Sequence, residues 1–554
     1  MQKLQTLDYV IFFIYFIIVA VYGYWIYQRK KSKEASSTDF FLAEGSLTWW
    51  AIGTSLIASN ISAEQFIGMS GNGFSMGLAI ATYEWMAAAT LLVVGIFFMP
   101  IYLKNHIFTM PEFLRKRYND TVATIMAVFW LFLYVLVNLT SILFLGALAV
   151  STVSGLDFWL CMIGLAIFAL IITVGGMKVI GYTDVIQVFF LILGGLATTY
   201  LAVNLVSEQN GTEGLTAGFN LLLQKSEDHF HMIFDKGHPQ YMSLPGLSVL
   251  IGGMWIVNLN YWGCNQYITQ RALGADLKTA RSGILFAAFL KLLMPLIVVV
   301  PGIAAYTLYQ QGLFQTDMLT NGQLNQDRAY PVLLNLLPTG LKGLSFAALT
   351  AAIVASLAGK ANSISTIYTL DIYKKFINKD ASEQRLVTVG RITILVAMIL
   401  AIVVSPFMGI DKKGGFQFIQ EMTGLVSPGV FAAFIMGFFW KKTNTAGAMF
   451  AIVGGFLLAL FFKFVLPEAV DLQPLAAYGF AGLNAESGRY EMPFIDQMGF
   501  IFLICVAVMV VLGNLKPSQK GLEIDSRMFR LAPNFALGTV VVVSILTFLY
   551  AYFW

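Results

Sequence analysis

Apolar runs of about 20 residues follow one another from end to end of this chain, separated by short polar connections; that window predicts about fourteen membrane spans. They fall near 7–27, 47–72, 78–103, 121–152, 157–176, 181–206, 246–270, 280–310, 341–375, 385–408, 414–440, 444–465, 498–514 and 533–553. Two of them break the apolar pattern. The first contains Leu56-Ile57-Ala58-Ser59-Asn60-Ile61-Ser62-Ala63-Glu64-Gln65-Phe66-Ile67-Gly68-Met69-Ser70-Gly71, too polar and too rich in small residues for a plain lipid-spanning helix. The second reads Ile256-Val257-Asn258-Leu259-Asn260-Tyr261-Trp262-Gly263-Cys264-Asn265-Gln266. An unpaired backbone group in hydrocarbon costs several kcal/mol, so an interrupted helix survives only inside protein or beside a wet cavity. Its freed carbonyls can hold a cation, and its half-helix ends present dipoles to a solute. Spans two to six and seven to eleven each open on an interrupted helix. Because each set is odd in number, the second enters from the opposite side, which predicts an inverted repeat with a solute site near mid-membrane.

Composition agrees. Hydrophobic residues make up 58% of the 554 positions and charged residues 12%, and the mean hydropathy is +0.74. These values exclude a set of soluble domains and indicate an all-α polytopic membrane protein. The net charge of +4 reports topology. Lys and Arg collect in Arg29-Lys30-Lys31, Arg115-Lys116-Arg117, the Arg271 to Arg281 and Lys374 to Arg391 connections, Lys441-Lys442 and the Lys516 to Arg530 connection. That face is predicted to be cytoplasmic, which places both termini and the connections 207–245, 312–338 and 466–497 outside. Cys161, Cys264 and Cys505 have no metal or redox spacing, and His229 and His231 sit in a polar connection. The first apolar run is too long for a signal peptide and reads as a span. The expected organisation is an extra span and loop over 1–45, a first repeat over 46–206, an external loop over 207–245, a second repeat over 246–440 and three final spans over 441–554.

Ionisable groups deep in a span are costly and mark functional positions. Glu84 and Lys291 are such groups; they read either as a structural ion pair or as two contacts to a polar solute. Around them the mid-membrane polar set is Asn60, Ser62, Gln65, Asn138, Asn258, Asn260 and Gln420. Amides with one carboxylate and one ammonium match hydroxyls, each both donor and acceptor. Tyr83, Tyr261, Trp262 and Phe416 offer flat faces for C–H surface. Helix–helix hydrogen bonding accounts for any one of these amides; their co-occurrence favours an uncharged polyhydroxylated solute.

Together with Thr183-Asp184-Val185-Ile186-Gln187-Val188-Phe189-Phe190, Tyr83-Glu84-Trp85, Tyr261-Trp262-Gly263, Gln420-Glu421 and Thr423-Gly424-Leu425-Val426-Ser427-Pro428-Gly429, the run Ile61 to Gly71 resembles the sodium/solute symporter family. The likeness is to its sodium/glucose and sodium/galactose branch, bacterial sodium/galactose symporters above all. It implies a leucine-transporter-like fold with a five-plus-five inverted repeat and two broken helices. It also implies that Gln65, Glu84, Asn258, Lys291 and Gln420 hold sugar hydroxyls. Tyr261 would stack on the sugar from inside, with Asn60 bonded to it and Trp262 beside it. Met69, Tyr83 and Phe416 would close the outside. The family's serine three residues after the glutamate is Ala87 here, one hydroxyl fewer.

The resemblance further implies a sodium ion, the coupling ion, held by Ala58, Ile61, Ala352 and two adjacent hydroxyls. Only the second hydroxyl is present, because the pair reads Ala355-Ser356. Lys360 lies four residues after Ser356, on the same helical face. It either extends toward the cytoplasm to pair with Asp184, which the family places at the ion's inner exit, or reaches back toward the ion site. The second case would give proton-coupled or sodium-independent transport. The expected activity is sodium-driven import of a glucose- or galactose-class monosaccharide by alternating access across a bacterial inner membrane, with myo-inositol the nearest rival solute. A channel, a sensor or a membrane enzyme fits less well: polar groups cluster on few spans, and there is no P-loop, metal cluster or nucleophile–base pair.

Overall fold

The computed structural model describes residues 4–30, 47–107, 109–173, 177–320, 322–407, 415–484, 487–518 and 520–554. Lys31 and the rest of the first charged connection lie outside them. Two compact units are formed, one from 1–81, 130–231 and 289–419, the other from 82–129, 232–288 and 420–554.

The first unit is built around the helix Leu341–Thr366, almost every residue of which is buried. Its run of Ala, Ser, Gly and Thr explains this: small side chains let neighbouring backbones come close, and association in a membrane depends on such packing. Thr6–Lys30, Phe158–Thr173 and Met177–Gln209 pack around it. Asp8, buried, takes the exposed N–H groups at its start, from Gly340 at 2.7 Å and Gly343 at 3.0 Å. A carboxylate at a helix N-terminus satisfies orphan donors and complements the dipole.

The second unit packs Thr82–Val93, Gly253–Gly263, Ser427–Phe439 and Phe494–Leu515 together. Here a buried guanidinium closes a helix at its other end. Arg117 Nε donates to the Gly437 carbonyl at 2.9 Å, and Nη2 donates to Trp440 at 3.0 Å. Tyr118 donates to Ala433 at 2.6 Å. Two short antiparallel hairpins, Leu319–Thr320 with Gln323–Leu324 and Gly482–Asn484 with Arg489–Glu491, lie in the polar connections.

The span count needs correction. Among the described residues nine helices are long and apolar enough to cross a membrane, or ten if the pair Gly415–Gly424 and Ser427–Phe439, bent by 52°, is one span. A hydropathy window scores any apolar stretch and cannot see where a helix begins or stops. The run expected over 157–176 is a helix of only 16 residues, Phe158–Thr173. The one over 7–27 has a short apolar part, Thr6–Tyr22. Residues expected as separate spans, 47–72 and 78–103, share one continuous run, Glu64–Lys104. The 246–270 stretch falls into Ser248–Ile251, Gly253–Gly263 and Gln266–Leu273.

Candidate functional site

The first interruption lies where its polarity points. Helix Trp49–Asn60 stops at Ile61, whose φ −76 and ψ 102 are extended, and the chain resumes helically at Glu64 with a wide π-turn through Met69. Ser62 and Gln65 stabilise the gap. The Gln65 carbonyl oxygen accepts from the Ser62 N–H at 3.2 Å and from its hydroxyl at 3.3 Å, and that hydroxyl accepts from the Glu64 N–H at 3.1 Å. The break leaves carbonyls of the preceding turn without helical donors.

Ser356 meets two of those carbonyls. Its Oγ lies 3.4 Å from Ala58 O and 3.4 Å from Ile61 O. Three of the four residues expected to hold sodium are therefore together, and the fourth, Ala352, is buried one turn earlier on the same helix. Hard cations take oxygens at roughly 2.4 Å, which sets neighbouring ligands about 3.4 Å apart. The oxygen set suits such an ion.

Lys360 is buried one turn beyond Ser356. Its Nζ donates to Asn138 Oδ1 at 3.1 Å and lies 5.1 Å from the centre of the Tyr134 ring. It also interacts electrostatically with the buried carboxyl of Glu64, whose Oε1 has no hydrogen-bond partner among the described residues. Asp184, buried, accepts from Ser55 Oγ at 2.7 Å. Glu64 was visible as an acid inside an apolar run, and the rule that marked Glu84 applies equally to it. Neither Glu64 nor Ser55 was singled out by the sequence reading.

Also in the first unit, Lys291, fully buried, donates to Asn60 Oδ1. Met69 and Phe416 are buried, and Gly68 beside Met69 permits close approach: a Cβ there would lie 2.8 Å from the Phe416 nitrogen.

The second unit carries Tyr83, Glu84, Asn258, Tyr261, Trp262 and Gln420. Tyr83, Glu84, Asn258 and Trp262 are buried, while Tyr261 and Gln420 are partly exposed. Helix Thr82–Val93, which bears Tyr83 and Glu84, packs against Gly253–Gly263, which bears Asn258 and Tyr261. Tyr261 meets Trp262 edge-on, with ring centres 5.2 Å apart. The second interruption lies within the stretch Ile256 to Gln266, at Cys264 and Asn265. Asn258 and Asn260 are helical; Asn258 Nδ2 donates to Met254 O at 3.2 Å and Asn260 Nδ2 to Ser427 Oγ at 3.1 Å. The helix ends at Gly263, whose carbonyl accepts from Tyr102 Oη at 2.6 Å, and Asn265 caps the next helix through the Tyr267 N–H at 3.1 Å.

A family model described as the sodium:solute symporter family matches residues 40–455. The chain belongs to that family. It is therefore a multi-pass membrane transporter and not an enzyme: a secondary active, sodium-coupled symporter of a small polar solute that works by alternating access. Over 564 aligned residues, covering 100% of this chain and 99% of the relative, this symporter is 46% identical to a sodium/glucose cotransporter of Vibrio parahaemolyticus. It is 35% identical to sodium/myo-inositol cotransporter 2 of Homo sapiens over 83% of this chain and 70% of that one. Among solved structures it is similar to a Na+-coupled sialic acid symporter in a substrate-bound outward-open state, with TM-score 0.76, 20% identity and coverage of 93% and 99% of the two chains. It is also similar to the closed form of Mhp1, a nucleobase-cation-symport-1 family transporter, with TM-score 0.52, 11% identity and coverage of 90% and 98%. At these identities the likeness concerns fold, and the fold is the leucine-transporter-like one with its inverted five-plus-five repeat.

Proposed function

We propose that this symporter imports a monosaccharide of the glucose and galactose class, with sodium as the coupling ion. The observation that carries the sodium part is Ser356 Oγ standing 3.4 Å from each of the Ala58 and Ile61 carbonyls at the helix break. The full-length similarity to a sodium/glucose cotransporter supports the sugar. Gln65 and Lys291 in the first unit, and Glu84, Asn258 and Gln420 in the second, are the proposed hydroxyl partners. Tyr261 is the proposed stacking face. Asn60 and Trp262 serve the inner gate, and Met69, Tyr83 and Phe416 the outer one.

Sodium arriving from outside joins the helix Trp49–Asn60 to Leu341–Thr366 through Ala58, Ile61, Ala352 and Ser356, favouring the state that admits sugar. Its release inward leads past Asp184 and Lys360. The membrane potential contributes about 2.3 kcal/mol per charge per 100 mV. The Lys and Arg of Arg115-Lys116-Arg117, the Arg271 to Arg281 connection and Lys441-Lys442 support a cytoplasmic position for those connections, and the similarity to a Vibrio parahaemolyticus cotransporter supports a bacterial inner membrane.

Uptake of labelled glucose and galactose into proteoliposomes, with sodium, potassium or choline outside, tests this reading. Saturable uptake that rises with an inward sodium gradient is expected; equal uptake in choline would refute it. Similarity to a myo-inositol cotransporter favours one second solute, so labelled myo-inositol belongs in the same series.

A further inference from the structure

A cavity of about 580 Å³ lies in the second unit, remote in sequence from Glu84 and Gln420, beside the short helix Ser248–Ile251 and the kink at Gly252. Asp496, 5% exposed in the first turn of Phe494–Leu515, lines it. The Ser248 side chain lies near this carboxyl and favours its charged form. Its Oδ2 is buried without a hydrogen-bond partner among the described residues. A buried acceptor left unpaired costs about 1–3 kcal/mol or more, so such a group points to a ligand that completes it.

The walls state what kind of ligand. Phe234, Tyr241, Phe480 and Phe500 line the same space. They are held in place: Phe480 and Phe500 meet edge-on at 5.3 Å, Phe234 stacks on His238 at 3.9 Å, and Tyr241 Oη donates to Gly479 O at 2.9 Å. Two further lining residues, Ile251 and Leu503, are 77% and 61% exposed on the apolar outer surface. Asp235 and Lys236 also line the cavity, Lys236 Nζ donating to the Ala477 carbonyl at 2.6 Å, so the acids outnumber the base and an anion is disfavoured beside Asp496. A sugar could stack its C–H surface on one ring but would leave most of its hydroxyls without polar partners among the others, at a desolvation cost. A primary ammonium on an apolar body satisfies the free carboxylate oxygen with a charge-assisted hydrogen bond and gains from the ring faces.

We propose that this cavity is a binding site for an amphiphilic primary amine, its ammonium on Asp496 and its apolar portion among the rings and along Ile251 and Leu503. The same chemistry is offered by the ethanolamine headgroup of a phospholipid and by a soluble aromatic amine. The Met232 N–H donates to the Phe553 carbonyl at 2.8 Å, so the start of the loop that lines the cavity is held against the residue that follows helix Pro533–Tyr552. The occupant also bears on transport. Gly253 packs so tightly on Ile495 that a Cβ would clash with its carbonyl oxygen, and an amine held on Asp496, the next residue, braces the start of the helix that carries Asn258 and Tyr261.

The test uses full-length protein in nanodiscs of phosphatidylglycerol, with or without phosphatidylethanolamine, read by native mass spectrometry and thermal unfolding; phenethylamine is added to the phosphatidylglycerol discs as the soluble probe. Retention of phosphatidylethanolamine at least about tenfold over phosphatidylglycerol, equivalent to about 1.4 kcal/mol, identifies a lipid occupant. A rise in unfolding temperature with phenethylamine alone identifies a soluble one. Either supports the site if Asp496→Asn abolishes the effect. Phe500→Ala, which keeps the carboxyl and removes a ring, must weaken the same ligand and decides the matter if Asp496→Asn does not fold. Equal retention of both lipids with no response to phenethylamine, an effect unchanged in both variants, or displacement of the amine by glucose overturns the proposal.

Discussion

Asp327, in the polar connection expected outside, accepts the N–H of Gly415 on Oδ2 at 2.9 Å, and a Cβ on Gly71 would lie 2.5 Å from its Oδ1. One carboxyl thus joins the connection 312–338, the far half of the first interrupted helix and the start of the helix that carries Phe416. Burial pushes this acid from 3.8 up to about 7, against the pull of the Gly415 N–H. In that window the folded protein holds a proton that the unfolded chain has released, so stability falls as pH rises from about 4 to about 7. Asp327→Asn, which keeps an acceptor for Gly415, should flatten that part of the profile. Thermal unfolding at pH 5 and pH 7.5 measures it; parallel profiles for the two proteins would contradict the assignment.

Adding a methyl at Gly68 should disturb the proposed outer gate. With the Phe416 nitrogen 2.8 Å and its Cβ 2.9 Å from the new carbon, the backbones must part, at a cost of about 1–3 kcal/mol. Gly68→Ala is expected to lower the unfolding temperature and raise the sugar concentration for half-maximal uptake.

Removing the Ser356 hydroxyl takes an oxygen from the proposed ion shell. Ser356→Ala should raise the sodium concentration for half-maximal uptake by about 10-fold to 100-fold, as for a hydrogen bond to charge of about 1.5–3 kcal/mol. Ala355→Ser should move it the other way. Sodium-dependence curves for both variants provide the measurement, and unchanged curves would remove Ser356 from the shell.

Lys360 places a positive charge one helical turn from that shell, held by Asn138. Lys360→Met should strengthen sodium binding roughly tenfold by removing about 1.4 kcal/mol of repulsion, while Lys360→Arg leaves it nearly unchanged. Isothermal titration of sodium into the purified variants reads this directly. Equal affinity in wild type and Lys360→Met would show that the ammonium does not act on the ion.

Tyr102→Phe removes the donor from the Gly263 carbonyl where the second interruption begins. The orphaned acceptor should cost about 1–3 kcal/mol of stability, visible as a lower unfolding temperature with the protein still assembled. No change would mean that another donor takes over the cap.

Much of the architecture was legible because lipid imposes a severe rule on backbone polarity. Ser62 and Gln65 betrayed the first break, since a hydroxyl and an amide inside an apolar run can replace helical hydrogen bonds, and here they do. The second break falls inside the stretch Ile256 to Gln266 that reads as interrupted, at Cys264 and Asn265, and not at its first amides. Asn258 bonds back to the carbonyl one turn earlier, so a polar side chain there is compatible with unbroken helix. The helix is interrupted at Gly252 and after Gly263. The span count failed for a related reason: hydropathy averages over a window, whereas a helix is bounded by individual caps and kinks.

Residue chemistry and hydropathy by themselves determined that the chain is a polytopic membrane protein whose first polar segment interrupts a helix, and periodicity that Ser356 and Lys360 share a helical face; that it is a transporter follows from its family. Tertiary structure decided what those side chains meet. Spacing along a helix fixes the direction in which Lys360 leaves the backbone, but its long stem then turns toward whichever group it can reach. That group is Asn138, 222 positions away in sequence. The Ser356 contacts with Ala58 and Ile61 arise in the same way, because oxygens from distant segments converge only when the packed helices bring them together.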